Sequence, residues 1–207
     1  MATAKVPKSK KKSFSSFKFD EAFKQLGITE LQQWGLAKVS LEPSSFFQQY
    51  LERLKVFDTR RSEESKKLII DALLLEVAPQ FPRLKTWKGA PLESDRLQGE
   101  ADYLVTANQA FIETPMLCVI EAKKDDFEQG LAQCLVEMQA CQWQNTQAGR
   151  TIDILGIVSN GQGWVFYKLS MDGQVFESAP YSLGDLPTLL GILHYIFQTC
   201  EKNLGQQ

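Results

Sequence analysis

The sequence predicts an α/β layered domain with a central mixed β-sheet flanked by helices. Apolar runs at 97–105, 116–122 and 151–158 have the length and residue types of strands, and helix patterns precede, separate and follow them. This order of helix, strands, helix, strand pair and helix is typical of layered α/β domains. With 207 residues, 43% of them apolar, the chain is long enough for one domain with a substantial core.

Composition divides the chain into a tail and a single folded domain. Residues 1–16 are rich in Lys and Ser and show no periodicity, so we expect a disordered tail. Residues 17–207 are expected to form one α/β domain, with a helical extension at 17–57 and a core at 58–207. Short helix patterns in the extension fall at 20–26, 30–35 and 45–54.

The first half of the core is predicted to contain one long helix and two strands. Residues 61–78 form a helix pattern whose centre is apolar over most of its circumference, and the pattern stops before Pro79. A stretch rich in Pro, Gly and Lys follows and is expected to be a loop that leads into the strand at 97–105. The apolar run at 116–122 predicts the second strand.

The second half of the core is predicted to contain a helix, a hairpin and a last helix. Asp125 or Asp126 is expected to cap a helix that continues to about Gln144. The strand at 151–158 is followed by an Asn-Gly turn and an aromatic strand at 164–169, which together indicate a β-hairpin. An amphipathic helix is expected at 186–202.

Charge is distributed unevenly along the chain. The net charge is −2, but five lysines among the first twelve residues leave −7 on residues 13–207. The basic tail either contacts phosphate groups or only increases solubility, and the sequence leaves both interpretations open. The acidic body argues against extensive nonspecific DNA contacts, although it is compatible with a local basic channel.

Neither a membrane partner nor an oxidising compartment is expected. No apolar run reaches the roughly 18 residues of a membrane span, and no apolar stretch follows the N-terminal lysines as in a signal peptide. The four cysteines are too scattered for a disulfide scaffold and lack the C-x2-C spacing of a zinc site. We expect buried thiols and a reducing, cytoplasmic environment.

Two of the predicted strands carry charged residues in a largely apolar setting. Asp102 lies within the first strand, and Glu121 and Lys123 lie at the end of the second. Because side chains alternate between the faces of a strand, Glu121 and Lys123 point to the same side. Buried charges cost free energy unless they are paired or bind a ligand. We therefore expect Asp102, Glu121 and Lys123 to meet at one functional site.

Two carboxylates that converge beside a lysine are suited to a divalent metal ion and an activated water. Mg²⁺ prefers oxygen ligands and typically needs only one or two protein carboxylates. Asp102 and Glu121 are therefore the predicted ligands, and the carbonyl of Ala122 would supply a further oxygen.

Two other groups are candidates for the same chemistry. Lys123 could orient or deprotonate the attacking water, or it could stabilise the charge that develops on phosphorus oxygens. Glu64, at the start of the 61–78 helix, is a candidate third carboxylate, and Glu63 competes with it for this role. Acidic residues are also common at helix starts because of the helix dipole alone.

These motifs resemble those of a known family. Gly-Glu-Ala-Asp-Tyr at 99–103, Ile-Glu-Ala-Lys-Lys at 120–124 and a following helix with Gln133 are similar to the PD-(D/E)XK nuclease superfamily. The N-terminal nuclease domain of type I restriction enzyme R subunits is similar in these motifs, and in an Asn-Gly turn before an aromatic strand. The resemblance covers about residues 60–170.

The resemblance implies a restriction-endonuclease-like three-layer fold. It also implies Mg²⁺, for which Mn²⁺ can substitute, at Asp102 and Glu121. By the same resemblance Lys123 would be the catalytic lysine, Glu64 the helix carboxylate and Gln133 a polar residue that faces the substrate.

Two positions depart from the pattern of the family. Ala101 stands before the first acid, where a proline is usual. Related nucleases often have a tyrosine four residues after the helix glutamine, and this chain has Glu137 there.

The sequence therefore predicts a Mg²⁺-dependent endonuclease that hydrolyses phosphodiester bonds of nucleic acid, with DNA favoured and a 5′-phosphate product as in the family it resembles. A homodimer or a partner protein is compatible with this function. One alternative is a catalytically inactive nuclease-fold module that binds nucleic acid or protein. Another is a regulatory domain that docks on partners through residues 19–57.

Overall fold

The computed structural model describes residues 11–37 and 39–205. These residues form nine strands and five α-helices. The strands are β1 (Lys12–Ser13), β2 (Gln32–Trp34), β3 (Leu84–Glu93), β4 (Leu97–Ala107), β5 (Met116–Ala122), β6 (Ile154–Ser159), β7 (Gly163–Leu169), β8 (Val175–Ser178) and β9 (Tyr181–Ser182). The helices are α1 (Phe19–Leu26), α2 (Ser45–Leu54), α3 (Glu63–Val77), α4 (Phe127–Gln147) and α5 (Leu186–Asn203).

All nine strands belong to one mixed sheet. The strand order is β1-β4-β5-β6-β7-β8-β2, with β3 paired to β4 and β9 paired to β7. Strands β5 and β6 are parallel and are connected by α4, whereas β4 pairs with β5 and β6 pairs with β7 in the antiparallel sense. The predicted α/β class with a central mixed sheet is therefore confirmed.

Helices flank the sheet and bury its central strands. Helix α4 packs on β5 and β6, while α3 and α5 also contact β5. Every residue of β5 and β6 is buried. Strands covered in this way read as continuous apolar runs, which is why both were visible in the sequence. The arrangement is compatible with three layers.

Helices α3 and α4 begin at side-chain caps. Ser62 accepts a hydrogen bond from the backbone N–H of Ser65 at the start of α3, and Asp126 accepts one from Gln129 N–H at the start of α4. These caps satisfy N–H groups that have no partner within the helix. The predicted helices at 61–78 and from Asp126 onward are confirmed, with α4 three residues longer than expected. None of the helices in the described ranges is long and apolar enough to cross a lipid bilayer.

Two predictions within the chain are wrong. The expected loop before 97–105 contains β3, which pairs with β4 from Leu84 to Glu93. The expected helix at 30–35 contains β2, which pairs with β8. For β2, pairing with a strand distant in sequence overrides the local preference. Strand β3 forms a hairpin with the next strand, β4, and Gly89 and Pro91 disguise its strand pattern.

The predicted disorder of residues 1–16 is also wrong for the part that the structure describes. Strand β1 pairs with β4 at Leu97, and Phe14–Ser16 form a short 3₁₀ helix. The side chain of Phe14 is buried and packs directly against the backbone of Gly99, where a Cβ atom would collide with its ring. Residues 1–10 lie outside the described ranges.

The extension covers more than one side of the core. Helix α1 packs on α4, and α2 packs on α3. The extension is therefore integrated into the core through both of these helices.

The four cysteines are free and buried, as expected.

Candidate functional site

The carboxylates of Asp102 and Glu121 are brought together by antiparallel pairing of β4 and β5. Tyr103 pairs with Ile120, so the preceding residue on β4 and the following residue on β5 lie beside each other. The backbone N–H of Ala122 donates to Asp102 Oδ2 over 2.8 Å. This bond fixes the Asp102 carboxylate against the end of β5. The role of the Ala122 carbonyl stays a prediction.

Lys123 is held by two oxygens immediately after β5. Its Nζ lies 2.6 Å from Glu121 Oε1 and donates to Gln133 Oε1 over 3.1 Å. Gly130 on α4 allows this approach, because a Cβ atom there would lie 2.9 Å from Lys123 Cγ and 2.7 Å from Val158 Cγ1. The glycine therefore gives the lysine stem room between helix and sheet.

Gln133 and Glu137 extend the site into the protein core. Gln133 Nε2 donates to Glu137 Oε1 over 3.1 Å, while the other end of the same amide accepts from Lys123. Gln133 is 8% exposed and Glu137 is fully buried. With both ends of its amide engaged, Gln133 is placed to position Lys123. The sequence expectation was that it faces the substrate.

Lys67 on α3 is a site residue that the sequence analysis missed. Its Nζ lies 2.8 Å from Asp102 Oδ1 and 2.7 Å from Glu64 Oε1, and 3.6 Å from Glu63 Oε1. The signal was present, since Lys67 follows the two glutamates by one helical turn, just before the apolar centre of the helix.

Glu63 is better placed than Glu64 to influence the cluster. The Glu64 side chain is 78% exposed and contacts Lys67, whereas Glu63 is 40% exposed. The charge of Glu63 acts on both Glu121 and Lys123. The structure thus brings both glutamates to the edge of the site, with Glu63 electrostatically coupled to its centre.

Burial strongly perturbs the acidic groups of the site. Burial, reinforced by the charge of Asp102, raises the pKa of Glu121 to about 8 despite the opposing effect of Lys123. Burial and then the charge of Glu121 hold the pKa of Glu137 well above its usual range. Glu121 Oε2 and Glu137 Oε2 are buried oxygens without a hydrogen-bond partner.

The two lysines stay protonated in this setting. Burial alone would lower the pKa of Lys123, but Glu121, Glu63 and Asp102 outweigh it and the pKa is raised. Burial likewise opposes the charge of Lys67, yet Asp102 and Glu64 raise its pKa. Both lysines are therefore ammonium groups at neutral pH.

The donor set of the cluster fits a hard divalent cation. Glu121 Oε2 is an anionic oxygen, once deprotonated, that has no other partner, and Asp102 lies beside it. Carboxylate oxygens are the ligands that Mg²⁺ prefers. Within residues 11–37 and 39–205, however, no group of three or more His, Cys, Asp or Glu residues is already arranged to hold a metal ion. Asp102 and Glu121 each contact a lysine instead.

A second polar group lies next to the cluster along α3. Asp71 accepts hydrogen bonds from Tyr103 Oη over 2.7 Å and from Lys88 Nζ over 2.6 Å. These residues border a cavity of about 460 Å³ between α2, α3 and β3, whose remaining walls are largely apolar. Sequence reasoning assigned β3 to a loop, so neither Lys88 nor this cavity was anticipated.

The sequence matches no protein-family model and no curated protein. The proposed function therefore rests on the arrangement of the side chains and on the motifs at 99–103 and 120–124.

Proposed function

We propose that this protein is a Mg²⁺-dependent nuclease of the PD-(D/E)XK type with a restriction-endonuclease-like fold. It would hydrolyse phosphodiester bonds of nucleic acid, with DNA the favoured substrate. The observation that supports this most strongly is the meeting of Asp102, Glu121 and Lys123 at the end of two adjacent strands. The order of these residues along the chain and their types agree with the family resemblance.

Asp102 and Glu121 are the residues that would hold the metal ion. Each carboxylate oxygen has two lone pairs, so contact with a lysine or an N–H group leaves capacity for a further bond. Glu63 and Glu64 at the start of α3 are the candidates for a third carboxylate. When bound, Mg²⁺ polarises a phosphoryl oxygen and lowers the pKa of coordinated water.

Lys123 would act as a fixed positive charge. Its raised pKa favours stabilisation of negative charge on the phosphate over removal of a proton from water. Glu121 and Gln133 hold the ammonium from two sides, so little rearrangement is needed when charge develops. Of the roles predicted for this lysine, the electrostatic one is best supported.

The acidic pair would become fully ionised only with a cation present. Burial raises the pKa of Glu121 to about 8, which favours its protonated form in the absence of a cation. Binding of a divalent ion would release this proton. Substrate hydrolysis would then depend on both metal and pH in the neutral range.

A catalytically inactive nucleic-acid-binding module is the second candidate. It is favoured by the absence, among the described residues, of a preformed group of three metal ligands. The lysines already neutralise part of the acidic charge, as expected for a retired centre. The two candidates differ in whether Asp102 and Glu121 bind metal.

Calorimetric titration of Mg²⁺ and Mn²⁺ into wild type and Asp102→Asn distinguishes the candidates. Asp95→Asn is the matched control, since it removes the same charge from an exposed loop. The nuclease proposal requires metal binding that Asp102→Asn abolishes, together with metal-dependent cleavage of DNA or RNA oligonucleotides. Salt-sensitive binding of an oligonucleotide without metal binding would support the inactive module.

A further inference from the structure

Lys67 occupies a position at the acidic cluster that would suit a cation of any kind. Its Nζ contacts oxygens of Asp102, Glu64 and Glu63 at 2.8, 2.7 and 3.6 Å. The side chain is only 11% exposed although it lies in the first turns of α3. Oxygens from several carboxylates around one point are what a divalent ion would otherwise collect.

We propose that Lys67 is a built-in cation of this centre, so that the wild-type protein takes one divalent metal ion and not two. The inference rests on the proposed nuclease function. It assigns the metal ion to Asp102 and Glu121, and it assigns the position between Asp102 and the start of α3 to the ammonium group of Lys67.

Charge balance supports a single ion. The cluster contains four carboxylates, from Asp102, Glu121, Glu63 and Glu64. Lys67 and Lys123 contribute two positive charges, which leaves a formal charge of −2 when all four acids are ionised. One divalent ion neutralises this charge, and a second would leave an excess of +2 beside the buried Glu121.

The geometry also separates the two cation positions. Lys123 contacts Glu121 Oε1, and Lys67 contacts Asp102 Oδ1. Glu121 Oε2 is buried and has no hydrogen-bond partner, so this oxygen is left for the metal ion. Lys67 would present to the substrate phosphate the positive charge that a second metal ion supplies in a two-metal site.

Counting bound Mn²⁺ tests the proposal. The measurements are calorimetric titration and electron paramagnetic resonance of wild type, Lys67→Ala, Lys67→Arg and Lys88→Ala. Lys67→Arg keeps the positive charge at this position. Lys88→Ala removes a positive charge outside the cluster, since Lys88 pairs with Asp71. We expect one bound ion for wild type and for both of these variants. Lys67→Ala frees three carboxylates and is expected to bind two ions with a spin-coupled signal.

The outcomes separate this proposal from the function on which it rests. Two ions on wild type, or one ion on Lys67→Ala, would overturn the role of Lys67 and leave the nuclease proposal intact. No ion on wild type, even with an oligonucleotide present, would contradict the nuclease proposal itself. Circular dichroism checks that Lys67→Ala is folded, and Lys67→Met, which keeps the aliphatic stem, replaces it if it is not.

Discussion

The two lysines of the cluster form ion pairs of opposite kinds. Lys123 pairs with Glu121, which is 1% exposed and lies two residues away on the same segment. Lys67 joins different elements, because it extends from α3 to Asp102 on β4 and also contacts Glu64, which is 78% exposed. One pair is enclosed and continues into the core through Gln133, whereas the other opens to solvent.

The difference lies in the partners, because Lys67 itself is only 11% exposed and it is the two glutamates of α3 that face solvent. A buried ion pair has high desolvation cost and needs defined geometry, so its partners cannot move independently. A pair at the protein surface is worth little in stability and can rearrange around a ligand. Lys123 is thus suited to a constant electrostatic role, and the exposed Glu64 is the partner of Lys67 that is suited to exchange.

The largest expected effect is on the fixed cation. Lys123→Met should lower the single-turnover rate of cleavage by about 10²–10³-fold, because a preorganised charge is lost at the reacting phosphate. Lys168→Met, which removes a lysine outside the cluster, serves as the control. A cleavage rate within a few-fold of wild type for Lys123→Met would show that the enclosed pair is structural only.

Glu137→Gln tests the core end of the enclosed network through the pH dependence of stability. Because burial raises the pKa of Glu137, the folded protein keeps a proton that the unfolded chain releases above about pH 4.3. The resulting stability is present at low pH and is lost as pH rises, and Glu121 adds to the trend up to about pH 8. In denaturant titrations, Glu137→Gln should be more stable than wild type at pH 8 by about 1–3 kcal/mol. Near pH 5 the two should be similar. If the unfolding free energies of the two proteins changed in parallel from pH 5 to pH 8, Glu137 would be ionised in the folded protein.

Gly130→Ala tests how tightly α4 confines Lys123. The new methyl group would lie 2.7 Å from Val158 Cγ1 and 2.9 Å from Lys123 Cγ, so these side chains or α4 must move. We expect a loss of about 1–3 kcal/mol in unfolding free energy and reduced cleavage. Gly35→Ala, where a Cβ atom meets nothing within 4 Å, should be nearly neutral. Unchanged melting and cleavage for Gly130→Ala would mean that the lysine stem is mobile.

The smallest effect is expected on the open side of the site. Glu64→Gln should change stability by less than about 1 kcal/mol, because its ion pair with Lys67 is exposed. Glu63→Gln should weaken Mn²⁺ binding more than Glu64→Gln does, since the charge of Glu63 acts on Glu121 and Lys123. Calorimetric titration of the two variants measures the difference. Equal Mn²⁺ affinities of the two variants, or weaker binding by Glu64→Gln, would favour Glu64 as the third carboxylate.

Strands and helices with strong local patterns could be predicted from the sequence. Strand β5 is buried at every position and α4 has a cap and a core stripe, so each is recognisable alone. Strand β3 pairs with the next strand but was hidden by Gly89 and Pro91, and β2 could not be recognised because it pairs with β8, which is distant in the chain. Phe14 was missed for the same reason, since its burial depends on packing against β4.

The candidate site divides in the same way. Asp102, Glu121 and Lys123 are close in sequence, and strand pairing brings them together as alternation of side chains predicts. Lys67 enters the site from a helix more than thirty residues earlier, and its contact with Asp102 depends on how α3 docks. No spacing rule predicts a contact of that kind, although a lysine one turn after two glutamates at the start of a largely apolar helix was a signal that could have been used.

The contact between Lys67 and Asp102 also ties ligand occupancy to the mobility of α3. Because half of the cluster belongs to a helix and half to the sheet, any cation or phosphate that binds there favours the docked helix over locally opened states. Amide hydrogen exchange in α3 should therefore slow when Mn²⁺ is added. In α5, which contributes no side chain to the cluster, exchange should change less, so α3 would report on occupancy even when no substrate is known.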